Sequence, residues 1–348
     1  MHTLRVLGTA TALSAALVLS ACGDDADTAA GDGTDSETSA DAASGAFPVT
    51  IEHAFGETTI EEQPERVASV AWANHEVPLA LGVVPVGMSE ATWGDDDKDG
   101  VLPWVEDALT ELDAETPVLF DETDGIDFEA VADTEPDVIL AAYSGLTQEE
   151  YDTLSQIAPV VAYPELAWGT TWQQMIELNS QALGLAEEGD ALVEEIEGYV
   201  SDTVADYPAL EGKSAMFSSH STDDLSQVGF YTTHDPRALF FEELGMTTPE
   251  LVSERSAESE TFYETVSAEN ADLLEDVDVL VTYGDDALLT ELQDNALVSE
   301  IPAVADGAVV MLENDTPLAA AATPSPLAIE WGLTDFLDLV SAAAEKSR

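Results

Sequence analysis

The sequence predicts an α/β protein: two Rossmann-like lobes with parallel-rich sheets, joined by one long rigid helix. Three observations carry this. Val-rich runs of strand length alternate with stretches of helical spacing, the pattern of parallel sheets covered by helices. One stretch keeps helical spacing for about 20 residues, roughly 30 Å, before a proline stops it. The chain has 348 residues, 45% of them hydrophobic, with a mean hydropathy of +0.00; at ~100–200 residues per domain that supplies two cores.

Residues 1–21 open with Arg5, continue as a short apolar run from Val6 to Leu19, and end in small residues before Cys22. This reads as a secretion signal, too short to span a membrane. Leu19-Ser20-Ala21-Cys22 resembles the bacterial lipobox, which implies cleavage ahead of Cys22 and lipid on its thiol. Cys22 is the chain's one cysteine, so disulfide frameworks and thiolate-built metal centres are excluded. Residues 22–45 then form a lipidated acidic tether: the stretch after Cys22 carries seven acids, no base and no large apolar side chain, too little to offset the entropy of ordering. The expected location is the outer face of the cell membrane, held by lipid alone.

The body is expected as a first lobe over 46–185, an inter-lobe helix over 186–207 and a second lobe over 208–348. Strands are expected at Arg66–Trp72, Val83–Met88, Asp137–Tyr143 and Pro159–Tyr163, then at Ser214–Ser219, Asp278–Tyr283 and Ala308–Leu312. Between the two groups, Ala191, Leu192, Glu195, Ile196, Tyr199 and Val200 repeat at i, i+3 and i+4, and Pro208 closes the helix. An internal echo links the halves: residues 128–145 and 263–285 each place acids at a helix start, then a Val-rich strand, then a Tyr and a Gly. Strand carboxyl ends face the ligand crevice in open parallel sheets. Tyr143-Ser144-Gly145 and Tyr283-Gly284 therefore point to a shared cleft, unless the two units are alike by chance.

Charge and motifs exclude other functions. Against 72 acids stand 8 Lys and Arg, a net charge of −64; binding to a phosphate backbone needs the opposite. No GxSxG elbow, GxGxxG turn, P-loop or body thiol is present, so the chain does not read as an enzyme. Ser218–Ser221, SSHS, is too slight a hint of a hydrolase. His53, His75, His220 and His234 form no HxH or HExxH cluster, and no metal site is expected.

From about residue 48 to 330 the chain resembles the substrate-binding lipoproteins of bacterial ABC importers for ferric siderophores, a group that also takes cobalamin and haem. The resemblance rests on PVTIEHAFGETTI with QPERVASVAW, ALGVVPVGMSEATW, FEAVADTEPDVIL, SGLTQEEYDTLSQIAPVVAY, TTWQQMIELNSQALG, LFFEELGM, and VSAEN followed by DVDVLVTYG, in this order. It implies the helical-backbone periplasmic-binding-protein fold, no cofactor, and an Fe(III)-siderophore complex held between the lobes by a monomer. It also implies delivery to a permease dimer. Haem or cobalamin is the alternative within the same transport class; a surface hydrolase or adhesin is the alternative outside it.

Siderophores suit aromatic clefts with few cations. Trp72, Trp93, Tyr143, Trp168, Tyr231 and Tyr283 stand at predicted strand ends or loops, each equally suited to a core or an interface. Arg237 precedes an apolar helix in YTTHDPRALFFEELG. The resemblance implies that it meets ligand oxygens, which a guanidinium pairs well; an ion pair with Asp235 or Glu242 is the competing role. Arg66 reads as a clamp on the first strand, and Lys98 as a solvated loop charge. Glu129 and Glu269 match the positions where the family carries one exposed glutamate per lobe, each docking in an arginine pocket of a permease subunit. Neutral or cationic hydroxamate complexes are preferred over trianionic catecholates, because the body beyond residue 45 holds 65 acids and 7 bases.

That body, with net charge −58, repels itself at low ionic strength. Its melting temperature is expected to rise between about 10 mM and about 1 M NaCl as the Debye length shrinks from ~30 Å to ~3 Å. A flat or falling melting curve counts against this.

Overall fold

Short Val-rich runs become parallel strands here because helices cover both of their faces. The computed structural model describes residues 47–221 and 224–348. Cys22 and the acidic segment 23–45, read above as anchor and tether, lie outside the described residues.

A hairpin comes first. Strands β1 (Val49–His53) and β2 (Gly56–Ile60) pair antiparallel, Val49 opposite Ile60. Ile51 and Ile60 bury inward while alternate residues face water. The first lobe continues as β3 (Val67–Ser69), α1 (Glu76–Ala80), β4 (Gly87–Ser89), α2 (Pro103–Glu111), β5 (Val118–Phe120), α3 (Phe128–Asp133), β6 (Val138–Ala141), α4 (Gln148–Leu154), β7 (Val160–Ala162) and α5 (Trp172–Leu183). Its five strands run parallel in the order β5-β4-β3-β6-β7. The order reverses between β3 and β6, so the loops that leave those two strands open a crevice.

Helix α5 ends at Gly184, whose φ of 71° suits glycine. Helix α6 (Ala186–Val204) follows, 19 residues long. A Cβ at Gly189 would stand 2.1 Å from Ser180 Oγ, so glycine here is what lets α6 lie close on α5.

The second lobe runs β8 (Ala215–Ser221), β9 (Asp224–Tyr231), α7 (Pro236–Glu243), α8 (Glu250–Glu258), β10 (Tyr263–Ser267), a 3₁₀ segment (Ala268–Leu274), β11 (Val279–Tyr283), α9 (Asp286–Asp294), α10 (Pro302–Asp306), β12 (Val309–Leu312), α11 (Pro317–Ala321) and α12 (Pro326–Ala344). Its sheet order is β10-β9-β8-β11-β12. Strands β8, β11 and β12 are parallel; β9 runs antiparallel to β8, and β10 antiparallel to β9. The two α/β lobes with parallel-rich sheets and a long connecting helix agree with the fold class read from the sequence.

Differences are local. The run expected as a strand from Val83 begins only at Gly87, because Pro85 has no N–H for a ladder and Val84 faces water. The hairpin strands β1 and β2, and strands β5, β9 and β10, are not among the expected strands. Strand β5 spans only three residues, and β9 opens polar and exposed beside the acidic run before it, so its alternation shows only from Val228 onward.

Each sheet is pinned at its far end by an aspartate. Asp137 accepts N–H bonds from Glu65 and Arg66 (2.8 and 2.9 Å), while Arg66 Nε donates to the Glu135 carbonyl at 2.8 Å. In the second lobe Asp278 accepts from Ser214 N at 3.0 Å and from Lys213 Nζ at 3.1 Å. Arg66 is thus a clamp on β3, and Lys213 its counterpart on β8.

Helix α12 returns from the second lobe to pack on α6, α1 and α2. Buried Glu76 fixes its start: one carboxylate oxygen accepts from Trp104 Nε1 at 2.7 Å and the other from Leu327 N at 3.0 Å. Burial pushes the Glu76 carboxyl above its usual range, and these donors pull against that rise. Its inner face buries Ile329, Leu333, Leu337 and Val340, and Phe336 stacks on Phe241 at 6.5 Å.

Candidate functional site

The loop after β3 turns sharply. Ala71 and Ala73 have φ of 60° and 62°, left-handed values that non-glycine residues adopt only when held. Glu122 holds one side, its carboxylate accepting the Ala71 N–H at 2.9 and 3.3 Å. Asn74 holds the other: its Nδ2 donates to the Val70 and Tyr143 carbonyls, both at 2.9 Å, and its Oδ1 accepts from Tyr143 N at 3.0 Å. The amide therefore locks the β3 and β6 loops together, and Trp72 and Tyr143 project from that junction.

Trp168 leaves the loop after β7 with φ 60°, its N–H donating to the Ser144 carbonyl at 2.9 Å. Its indole crosses Gly145 so closely that a Cβ there would sit 2.2 Å from Nε1. Tyr143 meets it edge to face at 5.3 Å and 80°.

The second lobe supplies the charge. Asp235 caps α7, accepting from Arg237 N at 2.9 Å. The same carboxylate takes Arg237 Nε at 2.8 Å and Nη2 at 2.7 Å, a two-point pair. Arg237 Nη1 donates to the Tyr283 hydroxyl at 3.2 Å, and the guanidinium carbon lies 3.9 Å above the Tyr231 ring. Burial works against this cation, but the hydrogen bonds and charge of Asp235 outweigh it and keep Arg237 protonated. Burial also raises the Tyr143 phenol, so its hydroxyl stays a donor.

These groups converge on one cavity of about 390 Å³, lined by Trp72, Trp93, Tyr143, Trp168, Arg237, Phe262, Tyr283 and Thr323. Trp93 reaches across to Tyr283, ring edge to ring face at 5.6 Å and 85°. Beside it, Gly94 N donates to Asp315 at 2.8 Å, a second tie between the lobes. The walls are aromatic, and Arg237 is the one Lys or Arg among them.

Six sequence candidates therefore meet here: Trp72, Trp93, Tyr143, Trp168, Arg237 and Tyr283. Ser144 instead lines an adjoining cavity, its hydroxyl spent on the Ala141 carbonyl at 2.7 Å. Tyr231 lies under Arg237 and outside the lining. Arg237 pairs with Asp235, the competing role weighed for it, and also lines the cavity, while Glu242 accepts from Thr248 at 2.9 Å. Phe262 and Thr323 were not anticipated. Phe262 sits in the acidic run ESETFYE ahead of an unrecognised strand, and a lone Thr in an Ala-rich segment gives no signal.

The lining contains no histidine. His53 bonds Thr58 within the hairpin at 2.9 Å, and His234 Nε2 lies 2.9 Å from the Ser256 carbonyl. Burial lowers His75 and His220 to about 4, so both are neutral at physiological pH. Glu129 and Glu269 are exposed, Glu129 in the first turn of α3 and Glu269 in that of the 3₁₀ segment.

The adjoining cavity, about 280 Å³, shares Trp72 and Trp168 with the first and adds Glu90, Glu122 and Glu150. Burial pushes Glu122 up to about 7; the Ala71 N–H pulls it down and Glu150 repels it.

The family described as periplasmic binding protein matches residues 67–316. The Streptococcus pneumoniae protein PiaA, solved in complex with ferrichrome, is 44% identical, with a TM-score of 0.83 over 86% of this chain and 99% of that one. A periplasmic solute binding protein of Mycobacterium smegmatis is 25% identical, with a TM-score of 0.69 over 85% of this chain and 98% of that one. The probable siderophore-binding lipoprotein YfiY of Bacillus subtilis is 27% identical over 278 residues, 74% of this chain and 78% of that protein.

Glu122 carries a pH prediction. Its folded-state value of about 7 exceeds the usual carboxyl value of 4.5, so the stability linked to its protonated form is full below about pH 4.5 and is lost as pH rises through about 7. In thermal melts, wild type is expected to lose a few degrees more than Glu122→Gln between about pH 5 and pH 8. Superimposable pH profiles would contradict this.

Proposed function

The chain belongs to the periplasmic binding protein family, and we propose that it captures a ferric siderophore between its lobes and delivers it to an ABC importer permease outside the cytoplasm. The observation that carries this reading is the cavity itself: an open aromatic cleft of about 390 Å³ with a single guanidinium on its wall. A ferric siderophore has an apolar periphery and a ring of metal-bound oxygens. Aromatic faces take the first, and the guanidinium donors take the second. The likeness to PiaA, whose solved complex holds ferrichrome, supports the same ligand class.

Charge narrows that class. A net −58 on the body, with Glu90 and Glu150 in the adjoining cavity, opposes trianionic catecholates. Neutral or cationic hydroxamate complexes meet no such barrier. Cys22 carries the lipid that holds the chain at the membrane, and the acidic segment behind it is the tether. Glu129 and Glu269 are the docking carboxylates, one per lobe, each offered to an arginine pocket of one permease subunit. Both are exposed near capped helix starts, where an anion is favoured.

Tryptophan fluorescence titrated with ferric hydroxamates, ferric catecholates, haem and cobalamin tests capture. A ferric hydroxamate is expected to quench saturably below ~10 µM, equivalent to about 7 kcal/mol. The Glu129→Ala/Glu269→Ala variant should bind as wild type does while iron uptake by cells falls sharply. Saturation only by haem or cobalamin, or by nothing, overturns the ligand class; undiminished uptake in the double variant overturns the docking assignment.

A further inference from the structure

The loop that roots Trp93 carries a second pattern, unrelated to the cleft chemistry. Residues 95–106 place aspartates at positions one, three and five (Asp95, Asp97, Asp99), glycine at six (Gly100) and glutamate at twelve (Glu106). This is the complete D-x-D-x-D-G-x₅-E spacing of a calcium loop. Each position has a physical reason. Alternate side chains wrap a cation from one side, the glycine makes the sharp turn, the seventh residue offers its carbonyl, and the twelfth closes the shell from the following helix.

The fold agrees with the pattern at several of its positions. Carboxylate oxygens of Asp95, Asp97 and Asp99 lie within 4.8 Å of one another. Gly100 has φ +88°, and a Cβ there would stand 2.8 Å from Leu119 Cδ1 and 2.9 Å from Glu90 Cγ. Asp95 accepts the Gly100 N–H at 2.7 Å, which folds the loop back on its first residue. Leu102, at position eight, is buried beside Trp104, so the loop is anchored in the core. Helix α2 starts at Pro103 and brings the Glu106 side chain against that of Asp99.

The seventh position is the most telling. Val101 is 3% exposed, and its carbonyl accepts no hydrogen bond among the described residues. Buried carbonyls almost always have a donor. This one stands where the pattern calls for a carbonyl ligand to a cation. Three aspartates, this carbonyl and a two-oxygen glutamate supply six oxygens, and water completes the six to eight that calcium takes; magnesium prefers a smaller octahedron that keeps several waters.

We propose that residues 95–106 bind one calcium ion, through Asp95, Asp97, Asp99, the Val101 carbonyl and Glu106. The ion neutralises three converging aspartates and the neighbouring Glu106 at the base of the segment that carries Trp93 and Gly94. Those two residues make the contacts to Tyr283 and Asp315 across the cleft. Calcium therefore stiffens the first-lobe side of the cleft, and its binding is independent of which ligand the cleft takes.

The test is calorimetric titration of the mature chain with CaCl₂ and, separately, MgCl₂, in about 0.15 M NaCl to screen diffuse counterion binding. One calcium per chain is expected, with a dissociation constant in the ~0.1–1 mM range of extracellular sites, together with a rise in melting temperature that magnesium does not reproduce. Glu106→Gln and Asp97→Asn should each weaken calcium at least tenfold. In EDTA both should melt no lower than wild type, since each removes one of four crowded like charges. No saturable calcium binding up to about 10 mM, or binding that neither substitution changes, overturns the site. A chain that binds calcium but no siderophore leaves this inference intact and removes only the transport reading.

Discussion

One ion pair sets the chemistry of the cleft. Asp235 is fully buried, and its two oxygens take the Arg237 guanidinium from one side while capping helix α7. Such a pair adds little net stability, because desolvating both charges offsets their attraction. Its consequence is positional. With Nε and one hydrogen each of Nη1 and Nη2 committed, two of the five guanidinium N–H groups remain for the cavity. Aromatic side chains flank them, and their partly buried setting strengthens whatever bond they make. In a body with 65 acids and 7 bases, Asp235 is, among the described residues, the one carboxylate that pairs with this cation.

The rest of the molecule delivers side chains to that point. In the first lobe the strand order reverses between β3 and β6, and Asn74 ties the two departing loops together. In the second lobe the corresponding place is the end of β11, where Tyr283 stands. Asp137 and Asp278 brace the opposite ends of the two sheets in the same manner. Helix α12, held at its start by Glu76, couples the lobes through a buried contact rather than through the connecting helix alone. The left-handed Ala71, Ala73 and Trp168 show where backbone conformation yields to placement of the indoles.

Much of this was legible in the sequence. The Val-rich runs at 138–141 and 279–283 declared themselves because both faces of each strand are buried, and the tyrosines that follow them were found by that route. Arg237 stood out because bases are so scarce. What stayed hidden follows from chemistry that a linear pattern does not carry. Strand β9 opens on its exposed, polar half, Phe262 lies in a charged run, and Thr323 resembles any surface threonine. Asn74 is informative only once the β6 loop is beside it, 69 residues away in sequence. The run GDDDKDG invites a reading as solvent-facing charge until Glu106, on the next helix, closes the pattern.

In the proposed capture the Arg237 donors, placed by Asp235, fix the ligand's oxygens. The most direct measurement is the dissociation constant of a ferric hydroxamate for the neutral double variant Arg237→Met/Asp235→Asn, which removes both charges and leaves neither buried alone. The variant is expected to unfold near the wild-type denaturant midpoint yet bind at least tenfold more weakly, a loss of about 1.4 kcal/mol or more. A folded double variant that binds within about twofold of wild type contradicts it.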